Sequence, residues 1–117
     1  QQAVDAGIRD AVSFGPALVI NGNPQSSLGS GGGFNPRACI GQRAGGAVLL
    51  LVIDGRQSHS IGATYKDLVD VMMTFGAVNA ANLDGGSSSI MVYNNEIISV
   101  SSSLYGSRKI ATAFIVK

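Results

Sequence analysis

The sequence predicts an α+β domain: a mixed sheet, a packed amphipathic helix, and a C-terminal β-hairpin followed by a final strand. Three observations lead there. Short apolar runs bounded by Gly, Asn and Pro outnumber helical stretches. A single well-defined stretch, "ATYKDLVDVMMTFG", repeats its apolar residues at helical spacing. Asn94-Asn95 separates "SIMVY" from "IISV", and two consecutive residues that tolerate positive φ signal a tight hairpin.

The elements follow in order. "VDAGIRDAVSF" reads as a short helix or an irregular turn. "PALVIN", Pro16 to Asn21, reads as a short buried strand. Gly22 to Pro36 is rich in Gly, Ser, Asn and Pro and reads as a surface loop, long enough to suggest a function of its own. "RACIG" and "AVLLLVIDG" are strands joined by "QRAGG". The unbroken aliphatic run of the second predicts a central strand buried on both faces. In the helix, Thr64 is the expected N-cap with Asp67 closing a capping box. Leu68, Val71, Met72 and Phe75 form its expected apolar face, and Gly76 its stop. "VNAANL" is a strand running into Asp84, and "IATAFIV" is the expected final strand.

Composition bounds the function. The 117 residues suffice for one small domain. With 45% hydrophobic and 13% charged residues, the chain is too apolar to be disordered. A net charge of +1, with five arginines and three lysines scattered along the chain, provides no field for nucleic acid. The run "AGGAVLLLVI" is too short to span a bilayer, so no membrane insertion by this chain is expected. One cysteine excludes an internal disulfide, and one histidine beside it does not furnish a zinc site; no cofactor or metal is expected.

Seven carboxylates are available. Asp67 and Asp70 lie in the first turns of the helix, where negative charge suits the dipole. Glu96 adjoins the hairpin turn, and Asp5 and Asp10 lie near the chain start. Asp54 and Asp84 remain, each ending an apolar strand and each followed by glycine. "DG" is a common turn dipeptide, and that reading stands for both. In "LDGGSSS", Gly85-Gly86 also leaves backbone N–H groups open to an oxyanion. Arg37, Arg56 and Arg108 lie at strand ends, where a guanidinium can clamp phosphate or carboxylate. A triad of His59 with Asp84 and one of Ser87 to Ser89 is disfavoured, because the serines do not fit a G-x-S-x-G elbow.

The stretches "FNPRACIGQ", "VIDGRQ", "SIGATYKDLVDVMMTFGAVNAANLDGGSSSIMVYNNEIIS" and "GSRKIATAFIV", in this order, resemble the phosphodiester glycosidase family, typified by the uncovering enzyme of lysosomal targeting. That enzyme removes N-acetylglucosamine from a phosphodiester on mannose. The bacterial branch is the more similar, since it also carries "LDGGSSS". The resemblance implies an exported or cell-surface hydrolase acting on glycosyl phosphodiesters of cell-wall or exopolysaccharide glycans. It also implies that residues 1–117 are the C-terminal portion of one domain, completed by a further N-terminal segment in the same chain or a separate one. Ser107 stands where this branch often has Glu.

Residue roles follow from the resemblance. Asp84 is the expected key carboxylate, as nucleophile, base or electrostatic stabiliser. Arg37 and Arg108 are the expected phosphate ligands. Asp54, grouped with Asp84 as catalytic, and Arg56 would bind sugar hydroxyls or hold the other groups in place. Gly85 and Gly86 would let substrate approach the backbone, and Asn82 and Ser87 would donate hydrogen bonds. Two other functions compete: a non-catalytic glycan-binding module, and a phosphodiesterase in which Asp54 and Asp84 hold a divalent cation.

Overall fold

The computed structural model describes residues 1–117. A single exposed helical turn, α1 (Gln2–Asp5), precedes an irregular stretch. Strand β1 (Ala17–Ile20) turns at Asn21-Gly22 into the two-residue β2 (Asn23–Pro24). Both turn residues have positive φ, 50° and 78°, as a two-residue hairpin turn demands. Strand β3 (Arg37–Arg43) pairs with β4 (Val48–Ile53), helix α2 (Tyr65–Thr74) follows, and β5 (Ala77–Asn82) returns to the sheet. The order is β2-β1-β5-β3-β4, and every pairing is antiparallel. A separate hairpin, β6 (Val92–Tyr93) with β7 (Glu96–Ile97), turns at Asn94 and Asn95 with φ 49° and 61°.

The α+β class and the packed helix are as expected. Thr64 caps α2: its Oγ1 accepts from the Asp67 amide, and the Asp67 carboxylate accepts from the Thr64 amide. The Thr64 hydroxyl also donates to that carboxylate, and the two bonds hold Asp67 below the ordinary aspartate range. Gly76 follows the helix in the left-handed conformation, φ 78°. The buried face is Leu68, Val69 and Met72, rotated from the expected one, and Phe75 is exposed. The reason is where the helix sits, across β1 and β5. Met72 lies over Gly41, whose missing side chain admits the helix: a Cβ there would stand 3.1 Å from the Met72 sulfur.

Two strand expectations are corrected. β4 is an edge strand, not a central one, with Val48 61% and Leu50 41% exposed. Its alternate residues Leu49, Leu51 and Ile53 pack on the core, so an aliphatic run marks two apolar faces without saying what covers them. The centre belongs instead to β5 and β3, whose small residues allow close packing. The segment "IATAFIV" makes no ladder: Ile110 to Phe114 line a cavity together with Leu50, Leu51 and Val52 of β4 instead of pairing with that strand, and the sheet expected as mixed is wholly antiparallel.

The core is Leu18, Val19, Cys39, Ala63, Leu68, Val69, Met72, Ala77 and Ala80. Cys39 sits on β3, and burial pushes its thiol up to about 12 against the opposing influence of Arg37. The accessible surface is 8043 Å², against ~5,900 Å² for a typical folded monomer of this mass. Much of the excess lies on β4 and the terminal segments, where Ile8, Val12, Phe14, Val48, Phe114 and Ile115 are exposed.

Candidate active site

The antiparallel register places the C-terminal ends of β4 and β5 beside the start of β3. Asp54 and Asp84, which follow those two strands, therefore share one end of the sheet. Between them runs the backbone of residues 35–38. Leu83 N–H donates to Ala38 O at 2.8 Å, and Gly86 N–H donates to Pro36 O at 2.9 Å. A Cβ on Gly85 would stand 2.8 Å from Pro36 O, so glycine there is required by close approach. This seats the turn that carries Asp84, which continues into one 3₁₀ turn, Gly86–Ser88.

Arg108 completes the site from the C-terminal segment. Its Nη2 lies 3.0 Å from Asp84 Oδ2, and its Nε donates to Ser88 Oγ at 2.7 Å. Both charged side chains are about half exposed. Asp84 Oδ1 carries no hydrogen bond within the chain and stays open to solvent. Arg56 approaches from the other side with left-handed backbone, φ 56°. Its Nη2 donates to Asn35 Oδ1 at 2.7 Å, and its guanidinium nitrogens lie 3.8 and 3.9 Å from where a Gly86 Cβ would be. A carboxylate and two guanidinium groups thus flank one glycine turn, with Asn35 and Ser88 orienting the arginines.

The other expected residues are placed differently. Arg37 is 6% exposed, and its guanidinium donates to Ala63 O, Gly31 O and Gly33 O at 2.9, 2.8 and 2.8 Å. Its charge centre also lies 4.6 Å from the Tyr65 ring centroid, a cation–π contact. It fastens the glycine-rich loop to the helix entry and does not face Asp84 or Arg108. Asn82 is buried; its Nδ2 donates to Gly15 O at 2.8 Å, while Oδ1 has no partner. Ser87 lies in the 3₁₀ turn without a side-chain hydrogen bond, and its neighbour Ser88 binds the arginine. Asp54 is occupied twice, by the Val100 amide at 2.8 Å and by His59 Nε2 at 3.2 Å. His59 therefore pairs with Asp54 rather than with Asp84.

A cavity of about 550 Å³ opens beneath Asp84, Ser88 and Arg108. Sixteen of its twenty-one lining residues are hydrophobic, among them Leu51, Leu83 and Phe114, so its interior suits packing rather than a sugar. The chemistry lies at its polar rim.

The phosphodiester glycosidase family model matches residues 1–117. The chain belongs to the phosphodiester glycosidase family. The chain is 34% identical over 90 residues to an SPbeta prophage-derived uncharacterized protein, YomE, of Bacillus subtilis (strain 168), covering 74% of this chain and 14% of that protein. Among solved structures, a protein named "Putative exported protein" from Burkholderia pseudomallei K96243 superposes with a TM-score of 0.62 at 41% identity, over 64% of this chain and 15% of the other. A hypothetical protein from Synechocystis gives a TM-score of 0.63 at 26% identity, over 75% and 18% respectively. The chain thus spans less than a fifth of the length of each of these proteins. No helix is long and apolar enough to cross a membrane.

Proposed function

We propose that this domain hydrolyses a glycosyl phosphodiester, a sugar-1-phosphate diester, in a cell-surface or exopolysaccharide glycan. The observation that carries the reading is the Arg108 guanidinium bridging Asp84 and Ser88 while Asp84 Oδ1 stays free. Cleavage of the anomeric C–O bond releases the phosphate as a monoester, a stable anion, so it does not need the strong general acid of an ordinary glycosidase. One carboxylate then suffices at the sugar, and guanidinium groups take the charge on the phosphate. Asp84 is the carboxylate. Arg108 and Arg56 replace the sequence-based pair of Arg37 and Arg108, because Arg37 is committed to three backbone carbonyls. Gly85 and Gly86 keep the turn thin enough for a substrate to lie against it. Action outside the cytoplasm is part of the proposal, supported by the name of the Burkholderia neighbour.

The test is release of the free sugar from a sugar-1-phosphodiester by the complete protein, with and without a chelator. Turnover insensitive to chelator is expected. Glycan binding without turnover would favour a binding module. Activity lost to a chelator and restored by Mg²⁺ or Ca²⁺ would favour the metal-dependent phosphodiesterase.

We also propose that further polypeptide of the same family domain covers the free edge of β4 and the apolar surface beside it. An exposed, uncharged edge strand invites pairing, and the excess surface is of the size that a stable interface buries. Residues 1–117 alone are expected to self-associate in light scattering; a monodisperse, cooperatively folding monomer would overturn this.

A further inference from the structure

Asp54 lies at the same sheet end as Asp84, yet neither of its oxygens is free. The tip of its loop is a tight turn in which Gln57 and Ser60 exchange backbone hydrogen bonds at 3.0 and 3.2 Å. The Ser60 hydroxyl donates to Asp54 O at 2.7 Å, which fixes the loop stem. From this loop two ties reach consecutive residues of a distant segment. Asp54 Oδ1 accepts from Val100 N–H at 2.8 Å, and Gln57 Nε2 donates to Ser101 O at 3.0 Å. The same segment is tied on its other side to Met91, just beyond the Asp84 turn. Ile98 N–H donates to Met91 O at 2.9 Å, and Met91 N–H donates to Ser99 Oγ at 2.9 Å.

Residues 98–101 therefore form a strap between the two Asp-Gly loops, and the strap leads to Arg108 seven residues further on. Beyond Ser103 the path to Arg108 is almost without support: Leu104 and Tyr105 are fully exposed. Whatever fixes the strap fixes where that path starts.

We infer that Asp54 is a positioning residue: its carboxylate latches the strap at Val100 so that Arg108 is delivered to Asp84 and Ser88. This rests on the proposed reading of Asp84 and Arg108 as the reacting pair. Of the roles the sequence left open for Asp54 (catalysis, sugar binding or holding other groups in place), it selects the last and names the group held. His59, on the second oxygen, orients the carboxylate for the Val100 amide.

The experiment pairs amide hydrogen exchange with kinetics in the complete protein. Asp54→Ala removes the acceptor, and exchange in residues 98–103 should quicken by roughly tenfold, since a charge-assisted bond is lost. Its kcat/KM on a sugar-1-phosphodiester should fall by a similar factor of about ten, chiefly through KM. Asp54→Asn keeps an oxygen for Val100 and should restore both. Unchanged exchange in Asp54→Ala would overturn the inference. So would an Asp54→Asn variant as inactive as Asp84→Asn with its strap still protected, because Asp54 would then act on substrate. If Asp54→Ala fails to fold, Gln57→Ala cuts the neighbouring tie and must loosen the same segment; if it does not, the strap is not held from this loop. A wild type without turnover sinks the proposed function, while the exchange results still decide the latch.

Discussion

Asp84→Asn lowers hydrolysis of a sugar-1-phosphodiester by about 10²–10⁴-fold, the range for loss of a positioned acid–base or nucleophilic group. The substitution is nearly isosteric. Asparagine Oδ1 can still accept from Arg108 Nη2, and the turn does not depend on the carboxylate: it is seated by Leu83 and Gly86 on the backbone of residues 36 and 38. Folding should therefore be retained, as circular dichroism would check. Only the free, charged oxygen disappears. Arg108→Lys should also impair turnover, because one ammonium cannot hold Asp84 and Ser88 in the same fork. A folded Asp84→Asn protein with near-wild-type turnover would reduce Asp84 to a turn residue and remove the proposed mechanism.

The second large effect is on stability. Gly62 has φ 107°, and a Cβ built there would stand 2.5 Å from the carbonyl carbon and oxygen of Asn35. Asn35 and Ala63 exchange backbone hydrogen bonds at 3.2 and 2.9 Å, so the obstacle is backbone held in place and cannot swing aside. Gly62→Ala thus combines a strained conformation with overpacking, at a cost of about 3 kcal/mol or more. Urea unfolding of the complete protein would measure it, and a change within about 0.5 kcal/mol, as for an ordinary surface substitution, would contradict the packing described. Gly55 is similarly hemmed, with Pro36 N at 2.5 Å from its would-be Cβ. Glycines 55, 62 and 85 together make the narrow slot for Asn35 and Pro36, and Asn35 in turn holds Arg56.

What could be read from sequence was local. The capping box at Thr64 and Asp67, the stop at Gly76 and the Asn94-Asn95 turn depend on residues within a few positions of each other, and all three form. Asp54 and Asp84 could be placed at strand ends because an apolar run has a visible end. The misses needed distance. Nothing near β4 says that it lies at the edge, since that depends on which strand β5 chooses as neighbour. Arg37 and Arg108 look alike in sequence, both at strand margins. Only the fold turns one towards the carbonyls of Gly31, Gly33 and Ala63 and the other towards Asp84. Ser87 and Ser88 are equally adjacent in the chain, and the 3₁₀ turn decides which hydroxyl meets the guanidinium.

Cys39 has a practical consequence. It is the one thiol in the chain, it lies on the strand that joins both halves of the sheet, and its pKa is pushed to about 12. Thiolate is the reactive species, so an alkylating reagent at neutral pH meets almost none while the sheet is closed. Alkylation must wait for β3 to be uncovered. Its rate then clocks that opening, and a single mass increment per molecule counts the chains that have opened, without any attached dye or engineered label.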